Sequence, residues 1–403
     1  MTNTPIAGRR YALVTETYTP QINGVAHTLG RLSEGLRARG HRLQLLRPAQ
    51  AHEQLGTTRG PDCLELRVRG LPLPGYPELQ WGLPAGHAIS RLWQKERPDA
   101  VYLATEGPLG WSALRIARRL GIPAISGFHT NFQQYSEHYG LGLLHAPAVR
   151  YLRWFHNLTQ VTLTASSTQQ RELSRLGVNN LALLGRGVDC ERFHPGHRDA
   201  STRMQWQAGD RDIVLLHVGR LAVEKNLPLL VRCWQKLRKM PHSDRLKLVI
   251  VGDGPQRTAL EAQLPDARFT GALTGEALAT AYASADIFVF PSLTETFGNV
   301  VTEAMASGLA VCAFDAAAAH QHISDRYSGC LAAVADEVQF LDNLSWLIND
   351  DEGRRGVRLH ARHKACQLDW GAVVKRFEGF LLQAQAQSDG NTVSHAAENR
   401  SLP

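Results

Sequence analysis

No apolar run in this 403-residue chain approaches the ~20 residues that a membrane-spanning helix needs, so no such span is expected. There is no C-x-x-C. The six cysteines stand apart at positions 63, 190, 233, 312, 330 and 366, a scatter that fits a reducing cytosol and no disulfide scaffold. Arg9 and Arg10 are followed by a strand-like YALVT rather than an apolar leader, so no cleavable signal is expected. The opening loop has no G-x-G-x-x-G, which argues against a dinucleotide oxidoreductase. No internal repeat exceeds a generic β/α alternation.

What is present is an ordinary globular composition, 43% hydrophobic and 20% charged, in a chain long enough for two or three domains. Its net charge of +7 is uneven. Residues 1–190 hold 21 Lys and Arg against 12 Asp and Glu, whereas the remainder holds 23 against 25. A basic front half suits an anionic counterpart: nucleic acid, an anionic bilayer or a charged acceptor.

The organising stretch is DIFVFPSLTETFGNVVTEAMASGLAVCAF, Asp286 to Phe314. It reads as a buried strand, a breaker at Pro291, a polar turn, a helix stopped at Gly308, and a second apolar strand. The turn puts Glu295, Thr296, Phe297, Gly298 and Asn299 at a helix mouth, where unpaired N–H groups favour an anion and glycine allows close approach. Glu295 and Glu303 are eight residues apart, about 12 Å along a continuous helix. That is too far for a retaining glycosidase pair, whose carboxyls lie about 5 Å apart. It suits two acids that grip different parts of one ligand.

Upstream, YALVTETY, a loop with Gly24, the helix LGRLSEGLRARG and the strand HRLQLLRP form a βαβ opening, hence a doubly wound parallel sheet. Residues 50–90 read as loop and edge structure. Glu106 and His129 (in GFHTNF) follow strand C-terminal ends, where open α/β sheets bind ligands. From Ala146 to Asn157 a helix mixes Arg150, Arg153, Tyr151 and Trp154, suited either to a headgroup interface or to packing on its own domain. LLHVGRLAVEKNLPLL ends a strand at Gly219 and places Arg220 and Lys225 before a helix, two cations where charge on a leaving diphosphate would need them. The turn Gly252-Asp253-Gly254-Pro255 and the segment Phe269-Thr270-Gly271 follow.

In this order the motifs resemble those of the retaining GT-B glycosyltransferases of family 4, whose E-x7-E signature stands here as Glu295 and Glu303. The resemblance spans about residues 10–385. It implies an α/β fold of two Rossmann-like doubly wound domains facing across a cleft: residues 1–195 with a returning helix 369–385, and residues 196–368. The tail 386–403 is polar, Gly/Ser/Asn-rich and aromatic-free, a composition that predicts disorder. It implies that Arg220 and Lys225 bind the donor diphosphate, assisted by Gly24 and by Gly298 with its neighbours Phe297 and Asn299. Glu295 would hold the sugar, Glu303 the ribose, and Gly252, Gly254 and Thr270 would flank the base. His129 would lie near the transferred sugar. No cofactor and no metal are implied, only a donor such as GDP-mannose or UDP-glucose.

GDRD (209–212) contains the D-x-D of the other large glycosyltransferase fold, but it precedes a strand and is read as a turn. His320 and His322 flank Gln321 on different sides of a helix, which argues against a metal pair. The chain departs from the family after Phe314, where DAAAAHQHI replaces a glycine pair and Gln321 stands near the usual Glu. PQINGVAHT, GFHTNF and YGLG look most like bacterial members that add mannose or glucose to lipids such as diacylglycerol. The expected partners are therefore a nucleotide-sugar donor, a lipid or glycan acceptor and an anionic membrane surface, and not nucleic acid. The expected location is the cytoplasm or the inner face of the cell membrane. The alternatives are a polysaccharide or soluble acceptor, as in lipopolysaccharide core assembly, and a UDP-sugar epimerase.

Overall fold

The computed structural model describes residues 8–398 apart from 22, 51, 74–75, 130–144, 242, 294 and 296. The chain divides into two compact units, Met1–Gly185 with Trp370–Pro403, and Arg186–Asp369.

The first unit is built on β1 (Arg10–Val14), β2 (Arg42–Pro48), β3 (Gly56–Arg59), β4 (Cys63–Val68), β5 (Gly70–Leu73), β6 (Tyr76–Gly82), β7 (Ala100–Leu103), β8 (Ala124–Phe128), β9 (Thr162–Thr164) and β10 (Leu181–Leu183). Eight of these form one sheet in the order β10-β9-β8-β7-β1-β2-β4-β3, parallel except for β3. β5 and β6 pair separately as an antiparallel ribbon, the edge structure expected between residues 50 and 90. The first helix, Gly24–Ala38, starts earlier than its apolar spacing predicts because the Asn23 carboxamide accepts the Ala26 N–H at 2.8 Å. It buries Leu29, Leu32 and Leu36 against the sheet and the returning helix Trp370–Glu398, which contributes Val374, Phe377, Leu381 and Ala384. Approach is closest at Gly35, where a Cβ would lie 2.4 Å from Val374 Cγ2. Glu378, buried on the returning helix, accepts from Arg39 Nε and pairs with His41 Nε2, each at 2.7 Å.

That helix runs to Glu398, through the stretch where composition predicts a disordered tail. The packed turns before it remove the nucleation cost, and each further residue adds a hydrogen bond to an existing helix. The boundary between units also falls ten residues before the expected 195. Residues 186–195 belong to the second unit because Val188 N–H donates to Leu368 O at 2.9 Å and Arg362 donates to the carbonyls of Cys190 and Phe193.

The second unit holds β11 (Ile213–Val218), β12 (Leu246–Val251), β13 (Arg268–Gly271), β14 (Ile287–Phe290), β15 (Ala310–Phe314) and β16 (Cys330–Ala332) in a parallel sheet ordered β13-β12-β11-β14-β15-β16. Its strands are almost wholly buried, as two helix-covered faces require. Gly209–Asp212 forms the expected turn before β11, with the Gly209 N–H bonded to Asp212 Oδ2. At the start of β14, buried Asp286 meets Arg198, Arg203 and Arg358, so the carboxylate is compensated. β11 and β14 lie side by side, so the loops at their C-terminal ends are neighbours.

Candidate active site

Two loops of the second unit are laced together at the C-terminal ends of β11 and β14. Asn226 adopts a left-handed backbone (φ 51°) and donates from Nδ2 to Pro291 O at 3.2 Å. Ser292 Oγ donates to Glu224 O at 3.2 Å. Between these ties the Lys225 ammonium pairs with Glu295 Oε1, both side chains only 16% exposed. The ammonium also stands 5.7 Å from the centre of the Phe290 ring. Partial exclusion of water strengthens whatever charge this ammonium meets. Arg220 is exposed on the same strand end.

Beneath them His217 is fully buried on β11, and its Nδ1 pairs with Val289 O at 3.1 Å. Burial, with the charge of Lys225 adding to it, pushes the imidazole down to about 4, so it is neutral at physiological pH. A Cβ on Gly219 would lie 3.6 Å from His217 Nε2.

The helix Asn299–Ala306 begins at Gly298, whose φ of 88° is one that glycine adopts without strain. Asn299 Oδ1 is buried there without a hydrogen-bond partner among the described residues. Phe297 is buried behind the turn, its carbonyl accepting the Ala318 N–H at 2.8 Å and its ring 5.7 Å from His322. Thr296 lies outside the described residues. One turn in, Glu303 accepts a hydrogen bond from the Tyr282 hydroxyl at 3.0 Å, and burial pushes its carboxyl up to about 7.

The turn at Gly252 and Gly254 packs directly on the Arg220 loop. A Cβ on Gly252 would sit 1.9 Å from Gly219 O, and Leu221 N–H donates to Asp253 O at 2.9 Å. Thr270 turns its hydroxyl onto its own strand, donating to Gly271 O at 2.9 Å.

The remaining sequence candidates lie in the first unit. Gly24 is exposed as the first residue of its helix. His129 is 7% exposed, with Nε2 in a 2.7 Å hydrogen bond to the Tyr102 hydroxyl. In the helix His145–Asn157, Leu152, Phe155 and His156 face inward and Trp154 is 46% exposed, the pattern of a helix packed on its own domain with one aromatic outside. Residues 139–144 of that stretch lie outside the described residues.

Several features escape the sequence motifs. Tyr282, in an alanine-rich helix, is the hydrogen-bond donor to Glu303. Asn226 could have been noticed as the residue type that tolerates a left-handed backbone, directly before Leu227-Pro228. Glu16 follows β1, and burial, then the charge of Glu106, pushes its carboxyl up to about 8. After β15 the expected glycine pair is replaced by alanines, yet Ala317 still holds φ 47°. Gln321, where the family places Glu, buries an Oε1 with no hydrogen bond among the described residues.

Thus adjoining strand ends bring together Arg220, Lys225, Glu295, Gly298, Asn299, Gly252 and Gly254, with Glu303 behind them. This offers fixed cations, a helix N-terminus and two acids in one region, a set suited to a sugar diphosphate. Among the described residues no group of three His, Cys, Asp or Glu side chains could hold a metal ion, and no helix is long and apolar enough to cross a membrane.

Residues 22–192 match the family model "Glycosyltransferase Family 4" and residues 212–350 match "Glycosyl transferases group 1". The chain is 36% identical over 379 residues to a GDP-mannose-dependent alpha-mannosyltransferase of Corynebacterium glutamicum, covering 93% of this chain and 87% of that one. It is 26% identical over 337 residues to the alpha-monoglucosyldiacylglycerol synthase of Streptococcus pneumoniae, covering 80% and 75%. In three dimensions it is similar to a sucrose-phosphate synthase from Thermosynechococcus elongatus, with a TM-score of 0.75 at 19% identity over 94% of this chain and 100% of that one. The chain belongs to glycosyltransferase family 4 and has the GT-B fold, and it is a hexose-transferring enzyme that draws on a nucleotide sugar.

Proposed function

We propose that the enzyme transfers mannose from GDP-mannose to a hydroxyl of a membrane lipid, with retention of configuration and without a metal ion. The observation that carries the reading is the Lys225–Glu295 pair at the mouth of the Asn299–Ala306 helix. With no donor bound, Glu295 neutralises Lys225. An incoming diphosphate carries more charge than one carboxylate and takes the ammonium, which frees Glu295 to accept hydrogen bonds from the sugar hydroxyls. Arg220 and Lys225 then stabilise the charge that grows on the leaving diphosphate. Glu303 as a carboxylate takes the ribose hydroxyls, and the Gly252–Gly254 turn and Thr270 flank the base.

Retention follows when the acceptor hydroxyl attacks the anomeric carbon from the face that the diphosphate leaves. The C–O bond to phosphate breaks, the bond to the acceptor oxygen forms, and the acceptor proton passes to the departing phosphate oxygen. No second carboxylate acting as a covalent nucleophile is required.

GDP-mannose is favoured by the mannosyltransferase relative, and a lipid acceptor by the diacylglycerol synthase relative together with the basic front half of the chain. The enzyme would then work in the cytoplasm, attached peripherally to an anionic membrane. The test is transfer from GDP-mannose, UDP-glucose and ADP-glucose, in EDTA, to diacylglycerol in anionic liposomes, with co-sedimentation at low and high salt. Mannosyl lipid and salt-sensitive sedimentation are expected. Transfer only to soluble glycans, with no sedimentation at low salt, would refute the lipid acceptor.

A further inference from the structure

We infer that Cys190 and Cys366 are a reversible disulfide site that staples together the two chain segments by which the second unit is joined to the first. The pair lies outside the catalytic loops, and the inference does not rest on the function proposed above. The backbone enters the second unit at Arg186 and leaves it at Asp369. Just inside, Val188 N–H donates to Leu368 O at 2.9 Å, so the entering and leaving segments run side by side. Cys190 is two residues after that contact and Cys366 two residues before it, which places them at matching distances from one backbone tie.

Arg362 binds both ends. Its Nη2 donates to Cys190 O at 3.3 Å, and its own carbonyl accepts the Cys366 N–H at 3.0 Å. Cys366 is also the neighbour that, after burial, raises the Cys190 thiol, so the two side chains lie close to one another. In reach of solvent, Cys366 is exposed and Cys190 half-buried, and both are free thiols. The other neighbouring pair, Cys312 and Cys330, faces across β15 and β16 but is 0% exposed, so an oxidant cannot reach it.

Exposure assigns the order of events. Burial, then the contact with Cys366, pushes the Cys190 thiol up to about 12, so the exposed Cys366 attacks first. With a low-molecular-weight disulfide as oxidant, the Cys366 thiolate displaces one thiolate and forms a mixed disulfide. Cys190 loses its proton to solvent, attacks the Cys366 sulfur and expels the second thiolate. The protein loses two protons and two electrons, and the small disulfide becomes two thiols. An accessible disulfide of this kind is the labile, regulatory sort.

The test is incubation of the full-length protein with glutathione disulfide over a range of redox ratios. Non-reducing digestion and mass spectrometry then identify the link, and melting curves are compared before and after dithiothreitol. A single link between peptides containing 190 and 366 is expected, removed by dithiothreitol. Because the link closes a very long loop, the melting temperature should rise by about 5–10 °C on oxidation. Cys366→Ser should abolish the link and the shift, and Cys190→Ser should leave Cys366 as a mixed disulfide. Full alkylation of both thiols after exposure to glutathione disulfide overturns the inference. So does a link through any other cysteine, or a shift that survives in Cys366→Ser.

Discussion

Removing Lys225 and Glu295 singly and together separates a structural ion pair from a catalytic one. Two unit charges 4 Å apart attract by about 4 kcal/mol in an effective dielectric of ~20. Burial to 16% exposure takes part of this back as desolvation, leaving a coupling of about 1–3 kcal/mol. In urea unfolding, Lys225→Met should destabilise because it strands Glu295 half-buried, and Glu295→Gln should strand Lys225. The double variant removes both charges and should lose about 1–3 kcal/mol less than the sum of the singles. Turnover obeys a different rule. Lys225→Met removes the cation from the leaving diphosphate and should lower kcat by about 10²–10³. The double variant should be no better, since restored folding does not restore a charge on the donor. If the double variant regains turnover to within about tenfold of the parent, Lys225 serves Glu295 rather than the donor, and the diphosphate assignment fails.

The Glu303 carboxyl, raised to about 7 from 4.5, must be ionised to take two ribose hydroxyls, so the KM for donor should climb as pH falls below about 7. Tyr282→Phe removes the hydrogen bond that opposes this rise, and the inflection should move to higher pH; an unmoved inflection would assign it to another group. The raised value also means that Glu303 favours folding fully only below 4.5 and loses that contribution as pH rises through 7. Glu16 follows the same sign with a folded value of about 8. Glu16→Gln should therefore gain stability little near pH 5, increasingly up to pH 8, and at a constant level above it. Melting curves from pH 5 to 9 read this out, and a gain independent of pH would refute the buried, protonated carboxyl.

Legibility in the sequence tracked distance along the chain. The strand-turn-helix around Glu295 was readable because Pro291, Gly298 and Gly308 punctuate it locally, and Arg220 and Lys225 because a strand stops beside them. That Lys225 pairs with Glu295, 70 residues away, depends on β11 and β14 being neighbours, which no local pattern encodes. Tyr282 sits among alanines, where apolar spacing marks no face, so its hold on Glu303 stayed hidden. Ala317 shows the converse. Its side chain gives no hint of a left-handed turn, yet the backbone makes one directly before Ala318, whose N–H bonds to Phe297 O. Residues 186–195 were expected to close the first domain, but Val188 is tied to Leu368, and Cys190 and Phe193 to Arg362, all in the second unit.

The returning helix carries a consequence for synthesis. A ribosome delivers the chain from its first residue, and β1 to β10 emerge with Leu29, Leu32 and Leu36 still lacking Val374, Phe377 and Leu381. The second unit is contiguous and can close while the earlier one stays unsealed. Birth order and completion order are thus reversed: the half that is made first is finished last, when the final helix leaves the exit tunnel.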